Sequence, residues 1–435
     1  MISQDVVLVR YGEIALKESW TRQSWERILK SNIAFCLHKA GVDHRISGNA
    51  GRIFIHSTDV RAVGVATQIF GVVSASSART VPPNLDDISR AAVQTAENAM
   101  AEAVRSGPVA CSKSVERSDS VTSSDSVTSS DSVTSSGSVI SSGSVISSGS
   151  DPAIWTFAIR PRRFGVPFSS GEIGRRAGEA VRLATGAAVN LNDPQLEIFI
   201  EARREGAYIF TDVVPGLGGL PLGSQGRMLA LISGGIDSPV AAWMMMRRGC
   251  PVSLLHFDSR PFADSIDQSK RCAEVLAEWS CGRKINFITI PIKRGIEKIQ
   301  MHHPRATCIL CRRLMYRIAA QVMERERALG LVTGYSLGQV ASQTAENILA
   351  EQAAIGVPVY HPLIAMDKLE IINLARKIGT YDVTAETKPC TAVPSKPMTQ
   401  ARREEILQAE EELDLVGIAR SLAAEATEIG IGDCA

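Results

Sequence analysis

MLALISGGIDSPVAAWMMMRRG, residues 228–249, decides the fold. The run MLALI is apolar at every position. A half-buried strand would alternate, so this one reads as a strand covered on both faces. Two glycines follow, and IDSPVAAWMMM then reads as a helix. A strand end, a glycine turn and a helix start within six residues make an anion site. Gly234 and Gly235 let the backbone approach a phosphate and are expected to take positive φ. The helix offers N–H groups without intrahelical partners and the positive end of its dipole. Ser233 and Ser238 can donate hydroxyls. Asp237 would repel a phosphate, which points it to Mg²⁺ or to an attacking or leaving group. Neither GxxxxGK[ST] nor GxGxxG stands here, so this is neither the lysine-bearing phosphate loop nor the dinucleotide fingerprint.

Downstream, PVSLLHF, KINFITIPI and LGLVTG read as apolar strands. They alternate with helices at DQSKRCAEVLAEWS, about Cys311–Arg327 and MDKLEIINLARKIG. This alternation predicts an α/β domain, a parallel sheet with helices on both faces, over 227–400. Its ligands belong at the carboxyl ends of the strands. A helical tail is expected over 401–435. Upstream, the Pro/Gly-rich stretch PGLGGLPLGSQG, 215–226, reads as a linker.

The N-terminal half predicts α+β structure. DVVLVRYG and GRIFIHS read as strands. A helix runs from about Trp20 to Lys39 and stops at Gly41, and VRAVGVATQIF is a short helix. The expected domains are 1–59 and 60–214. Within the second, IWTFAIRP is a strand, GEIGRRAGEAVRLATG a helix ending at Gly186, and LEIFIEARREGAYIFTDVV a hairpin. From Asp119 to Ser148 a six-residue unit, DSVTSS or GSVISS, repeats five times. Ser/Thr/Gly/Asp tracts bury too little apolar area to offset chain entropy, so 113–151 is expected to be a disordered insertion. A stacked β-repeat would have too thin a core. Arg160, Arg162, Arg163, Arg175 and Arg176 stand against Glu172 in seventeen residues, a local excess suited to a phosphate backbone. Few aromatics interleave, so shape reading is expected over base stacking.

The formal net charge is +1, so any basic surface is local. No run reaches the 18 or so apolar residues of a membrane span. The first residues show no basic region followed by a long apolar stretch, so no signal peptide is read there. A cytoplasmic enzyme is expected, and the nine cysteines then point to metal or thiol chemistry rather than disulfides.

The loop SGGIDS resembles the signature of the PP-loop ATP pyrophosphatases. Longer stretches resemble one branch, the tRNA 4-thiouridine synthetases: RYGEIALK, FAIRPRRF with SGEIGRRAGEAV, EGAYIFTDVV through to MMMRRG, TGYSLGQVASQTAEN and PLIAMDKLEIINLARKIGTYD. The resemblance covers about 5–110 and 154–400. It implies a ferredoxin-like module, a THUMP domain that binds tRNA, and a PP-loop domain that adenylates O4 of a tRNA uridine, position 8 in the family, before sulfur replaces it. Carried over by position, ATP would touch Leu231, Ile232, His256, Phe257, Arg312, Gly334 and Gln343 beside the loop. From the residues alone, His256 and Phe257 close an apolar strand where an adenine could stack, and Arg312 could neutralise phosphate. Members of the family also supply sulfur for thiamine's thiazole, and dimers occur among them.

Many relatives carry a rhodanese domain whose cysteine delivers persulfide sulfur; the stretch after residue 400 is too short for one, which leaves the sulfur donor open between sulfide and a persulfide carrier. Cys308 and Cys311 form a CILC pair, by itself open to metal or redox readings. Cys390, in TKPCTAVPSKP, aligns with the family's catalytic cysteine. The three together resemble the archaeal-type synthetases, in which three cysteines hold an iron–sulfur cluster with one iron open to sulfide. The rival is a persulfide on Cys390 resolved by Cys308 or Cys311. Cys36, Cys111, Cys250, Cys272 and Cys281 read as buried small apolar residues. Other readings are a PP-loop amidating or lysidine-forming ligase and an RNA-binding protein with a degenerate loop. The first would lack RYGEIALK and the THUMP-like stretches; the intact Ser233, Asp237 and Ser238 oppose the second.

Overall fold

The computed structural model describes residues 6–49, 51–106, 155–384 and 389–432. The expected insertion at 113–151 lies outside them. The chain divides into two compact units, one on Arg79–Thr211 and one on Gln4–Ala78 with Asp212–Ala435.

The larger unit contains the expected α/β domain. Its six strands lie in the order Val359–Tyr360, Leu331–Val332, Met228–Leu231, Val252–Asp258, Ile285–Pro291 and Thr427–Ile431. The first five are parallel and the last is antiparallel. The run at 228–232 is apolar throughout because it feeds two cores. Met228, Ala230 and Ile232 join Trp243 of helix Asp237–Arg247 and Leu276 of helix Ile266–Glu278. Leu229 joins Leu310, Leu314 and Ile318 of helix Thr307–Arg325 on the other face. That helix starts before Cys311, so it carries both residues of the CILC pair.

Two expectations change here. The stretch 401–435 is no appendage. Helices Arg403–Glu412 and Leu415–Ala423 complete the second core, and Thr427–Ile431 forms a sheet edge. Its pattern hides this because Glu410, in a strongly acidic helix, is buried against arginines. Nor is 215–226 a free linker: Leu217, Leu220 and Leu222 are buried. A Cβ on Gly219 would sit 2.2 Å from the Arg247 carbonyl oxygen, and Gly219 also has φ +79°. Its glycine serves close packing as well as turning.

The same unit contains the N-terminal module, with strands in the order Arg45–Asn49, Arg52–His56, Val6–Arg10 and Ser74–Ala78, all antiparallel. Helices Ser19–Lys39 and Arg61–Thr67 cover it through Leu29, Ile33, Leu37, Ala62 and Ala66. The module therefore runs past the expected boundary at 59, because Arg61–Thr67 and Ala75 fill its core. Strand Arg45–Asn49 had no sequence signal, with one large apolar residue in RISGN.

The smaller unit pairs Arg79–Val81, Gly206–Phe210, Leu196–Arg203, Thr156–Phe164 and Ala188–Val189 in that order. Helices Leu85–Ser106 and Ser170–Thr185 pack on it, and the second ends at Gly186 with φ 71°, as the sequence predicts.

The buried charge at Glu410 gives a stability test. Its carboxylate accepts from Arg313 Nε at 3.1 Å and Arg317 Nη2 at 3.0 Å, and the Arg313 side chain is fully buried. Glu410→Ala leaves that guanidinium uncompensated. It should cost about 3–5 kcal/mol of unfolding free energy in urea denaturation; a loss below about 1 kcal/mol would show the triad to be dispensable.

Candidate active site

The chain order of the sheet reverses between Met228–Leu231 and Leu331–Val332, the place where an open α/β sheet forms its ligand crevice. A cavity of about 670 Å³ opens at the carboxyl ends of these strands. Leu231, Ile232, Ser233, Gly234, Gly235, Asp237, Ser238, His256, Phe257, Arg312, Gly334 and Gln343 all line it, as do Cys308, Cys311 and Cys390. Residues drawn from five separate stretches of sequence thus meet in one space.

The loop is held by its serines. The Ser233 N–H donates to Ser238 Oγ at 2.9 Å, the two hydroxyls lie 3.1 Å apart, and the Gly235 N–H reaches Ser233 Oγ at 3.4 Å. Helix Asp237–Arg247 starts without a side-chain cap. The glycines act differently from expectation. Neither Gly234 nor Gly235 has positive φ. Gly234 is needed for space, since a Cβ there would lie 2.7 Å from Ser265 Cβ. Gly334 meets the helix start from the neighbouring strand, and its Cβ would fall 2.7 Å from the Ser238 nitrogen.

Asp237 has two partners that sequence reasoning missed. Lys368 Nζ donates to Oδ1 at 2.6 Å and Gln339 Nε2 to Oδ2 at 3.0 Å. A signal for Lys368 existed. Asp367 and Glu370 form a capping box, which places Lys368 at the first position of helix Lys368–Ile378.

His256 is buried and hydrogen-bonds through Nδ1 to the Ile232 carbonyl at 3.2 Å. Its ring stacks on Phe287 at 6.2 Å. Burial lowers its pKa, so the imidazole is neutral and fixes the strand end beside the loop. Arg312 is no surface charge. Its guanidinium lies 4.9 Å from the Tyr335 ring centroid, and Nη1 donates to the Tyr335 hydroxyl at 3.1 Å. Tyr335 in turn donates to Glu351 Oε2 at 2.6 Å and stacks on His361 at 5.0 Å. Gln343 is buried, and its Oε1 has no hydrogen-bond partner among the described residues.

Cys308 and Cys311 lie three apart on helix Thr307–Arg325, on one face. Burial pushes the Cys311 thiol up to about 12; Arg312 opposes this, and neighbouring Cys390 and Cys308 add to it. Burial also raises Cys308. The segment after Cys390 is tied down by the Thr391 N–H donating to the Phe262 carbonyl at 2.8 Å. Among the described residues, no three of His, Cys, Asp and Glu converge as ligands of one metal ion.

The expected RNA-facing arginines belong to the smaller unit, where they stand on more than one face of its strand and helix. Arg160 is engaged by Glu197 at 2.7 Å and by the Leu191 carbonyl at 2.9 Å. Alternation along the strand puts Arg162 on the face of Arg160, and Arg163 on the face of Ile159 and Pro161, which helix Ser170–Thr185 covers. Arg162, Arg163, Arg175 and Arg176 are exposed, and Arg176 lies 3.6 Å from Asp86.

A protein of Methanosarcina mazei named probable tRNA sulfurtransferase is 39% identical over 94% of this chain and 92% of its own length. The chain belongs to the ThiI family of tRNA sulfurtransferases. A probable tRNA sulfurtransferase of Methanothermobacter thermautotrophicus is 37% identical over 95% of each chain. The family model for thiamine biosynthesis protein (ThiI) matches residues 223–415, the ThiI ferredoxin-like domain 6–76 and the THUMP domain 145–212. A crystal structure of a 4-thiouridine synthetase–RNA complex with bound ATP matches 98% of this chain and 100% of that one, with a TM-score of 0.77 and 25% identity. PH1313 from Pyrococcus horikoshii shares the fold, with a TM-score of 0.60 and 24% identity.

Glu351 supplies a pH test of the network behind Arg312. Burial raises its pKa to about 7 from the usual 4.5, against the pull of Arg312 and Tyr335. Between those two values the folded state keeps a proton that the unfolded chain has lost. Stability from this group therefore falls as pH rises through that window and levels off above it. Glu351→Gln should shrink the drop in Tm between pH 5 and pH 8; an unchanged drop would mean that another group is responsible.

Proposed function

We propose that this ThiI-family chain is an ATP-dependent tRNA sulfurtransferase that converts a uridine of tRNA, position 8, to 4-thiouridine. The observation that carries the reading is the meeting of a phosphate loop, a half-buried arginine and three thiols in one cavity. The uridine O4 attacks the α-phosphorus of ATP, and pyrophosphate leaves. Sulfur then displaces AMP at C4, so the oxygen departs with AMP. In the family's solved complex the protein is bound to both RNA and ATP, which supports the same pair of ligands here.

The chain's own groups suit the first step. The loop N–H groups and the helix start face the phosphates, where charge grows as pyrophosphate leaves. Arg312 adds a guanidinium that Tyr335 holds in place. Lys368 offsets the charge of Asp237, so that carboxylate can sit beside phosphates. Asp237 would also hold Mg²⁺, which would offset the negative charge of the phosphates. The THUMP-containing unit would dock tRNA through exposed Arg162, Arg163, Arg175 and Arg176. The reading keeps the enzyme in the cytoplasm with its substrate. Among the described residues no helix is long and apolar enough to cross a membrane.

For the second step, Cys308, Cys311 and Cys390 line one cavity without converging as ligands of a single ion. That spread is a poor fit to a single ion, whose ligands close around one centre. Three cysteines would instead be the donor set of a polynuclear iron–sulfur cluster, which would supply an iron for sulfide. Anaerobically purified protein should contain iron and absorb broadly in the visible blue. Absence of both would leave the persulfide route through Cys390. The same chemistry would serve sulfur transfer toward thiamine's thiazole.

Two variants separate the steps. Asp237→Asn should lower tRNA-dependent pyrophosphate release from ATP by about 10²-fold or more. Cys390→Ala should keep pyrophosphate release within a few-fold yet form no 4-thiouridine, as read by nucleoside mass analysis. Equal loss of both products in Cys390→Ala would contradict its assignment to sulfur transfer. Arg162→Ala combined with Arg163→Ala should weaken tRNA binding and flatten its salt dependence by about two units of log–log slope in a filter assay. An unchanged slope would remove these arginines from the docking surface.

A further inference from the structure

Cys36 and Cys281 are expected from the sequence to be inert core residues like Cys250 and Cys272. The last two are buried, whereas Cys36 and Cys281 are half-buried. They also come from different parts of the larger unit. Cys36 stands near the end of helix Ser19–Lys39 in the ferredoxin-like module. Cys281 stands in the turn between helix Ile266–Glu278 and strand Ile285–Pro291 of the nucleotide domain.

Several observations bring the two sulfurs together. Both side chains pack against the module's core cluster. The Phe35 ring, next to Cys36, presses on Gly282, next to Cys281; a Cβ on that glycine would lie 2.4 Å from the ring. The Cys281 thiol donates to the Trp279 carbonyl oxygen at 3.9 Å and lies within interaction range of the Cys36 sulfur. Cys281 adopts φ 50°, a left-handed conformation uncommon for a residue with a Cβ. One face of helix Ser19–Lys39 makes the surrounding contacts. Asn32 Nδ2 donates to the Leu222 carbonyl at 3.1 Å, its Oδ1 accepts from Arg283 at 2.8 Å, and Lys39 pairs with Glu278 at 2.8 Å. Asn32, Cys36 and Lys39 are spaced as one helical stripe.

We infer that Cys36 and Cys281 form a redox-active thiol pair that cross-links the ferredoxin-like module to the nucleotide domain when a low-molecular-weight disulfide is present. Access exists at Cys36, because a pocket of about 800 Å³ opens there, lined by Cys36, Lys39, Gln68, Ser280 and Gly282. Reactivity exists too. Interaction with Cys281 lowers the Cys36 pKa against burial, with Lys39 and Arg283 adding to it, while Cys281 is raised, so Cys36 is the attacking thiol of the pair and Cys281 the resolving one.

The exchange balances with glutathione disulfide as oxidant. The Cys36 thiolate attacks one glutathione sulfur, breaks the S–S bond and releases one glutathione thiolate. Cys281 loses its proton to solvent and attacks the Cys36 sulfur. The Cys36–Cys281 bond forms and the second glutathione thiolate leaves. The two protein sulfurs give up two electrons together, and the glutathione disulfide takes them.

The test uses the full chain. Reduced protein is incubated with glutathione disulfide, quenched with acid, digested without reductant and mapped by mass spectrometry. A linked peptide joining Cys36 and Cys281 is expected, with Cys250 and Cys272 unmodified. Cys281→Ser should instead carry glutathione on Cys36. Cross-linking should raise Tm by about 3 °C or more in the natural chain, because it ties distant parts of the sequence together, and by nothing in Cys281→Ser. Separate glutathione adducts on the two cysteines of the natural chain, or two thiols left free under conditions that oxidise other exposed cysteines, would overturn the inference. The mapping of the natural chain decides the matter even if a variant folds poorly.

Discussion

Strand Met228–Leu231 is buried on both faces, and the rest of the nucleotide domain follows from that constraint. A strand with no wet face needs a helix layer on each side, and parallel pairing supplies them through crossover helices. Parallel pairing also puts every strand-to-helix turn on one edge. The reversal of strand order beside Met228–Leu231 then opens a crevice on that edge. Ser233–Ser238, His256, Gly334 and the cysteine-bearing helix meet there because of topology, although they are scattered in sequence.

The electrostatics of the crevice are built from pairs rather than from net charge. Asp237 is offset by Lys368 and Gln339. Arg312 is held by a tyrosine whose hydroxyl passes the contact on to a buried glutamate. Such arrangements keep donors in place before a ligand arrives, so little reorganisation is needed as charge develops. His256 contributes by staying neutral and holding the Ile232 carbonyl at the strand end.

Much of this was legible in the sequence, and the gaps have physical causes. The loop could be read because its signals are local: an apolar strand, glycines and a helix start in adjacent positions. The cavity-lining residues beyond it came from resemblance, since nothing local links Arg312 to Gln343. Lys368 and Gln339 were missed because contacts across a fold leave no periodic trace: the capping box puts Lys368 at a helix start but not beside Asp237. Tail strand Thr427–Ile431 was missed because an edge strand with polar and glycine positions lacks the apolar pattern of a central one. Counting arginines also ignores alternation, which splits Arg162 from Arg163, and ignores Glu197, which engages Arg160. The positive φ expected of Gly234 and Gly235 is not found: a close neighbour at Ser265 explains Gly234.

The central claim is that one cavity both activates a tRNA uridine with ATP and receives the sulfur that replaces its oxygen. The most direct measurement is mass analysis of nucleosides from unmodified tRNA incubated anaerobically with the purified protein, ATP, Mg²⁺ and sulfide, with pyrophosphate counted in parallel. The account predicts 4-thiouridine at a single tRNA position, with pyrophosphate release that requires tRNA. Pyrophosphate release indifferent to tRNA, or none at all with the loop intact and ATP bound, would contradict it.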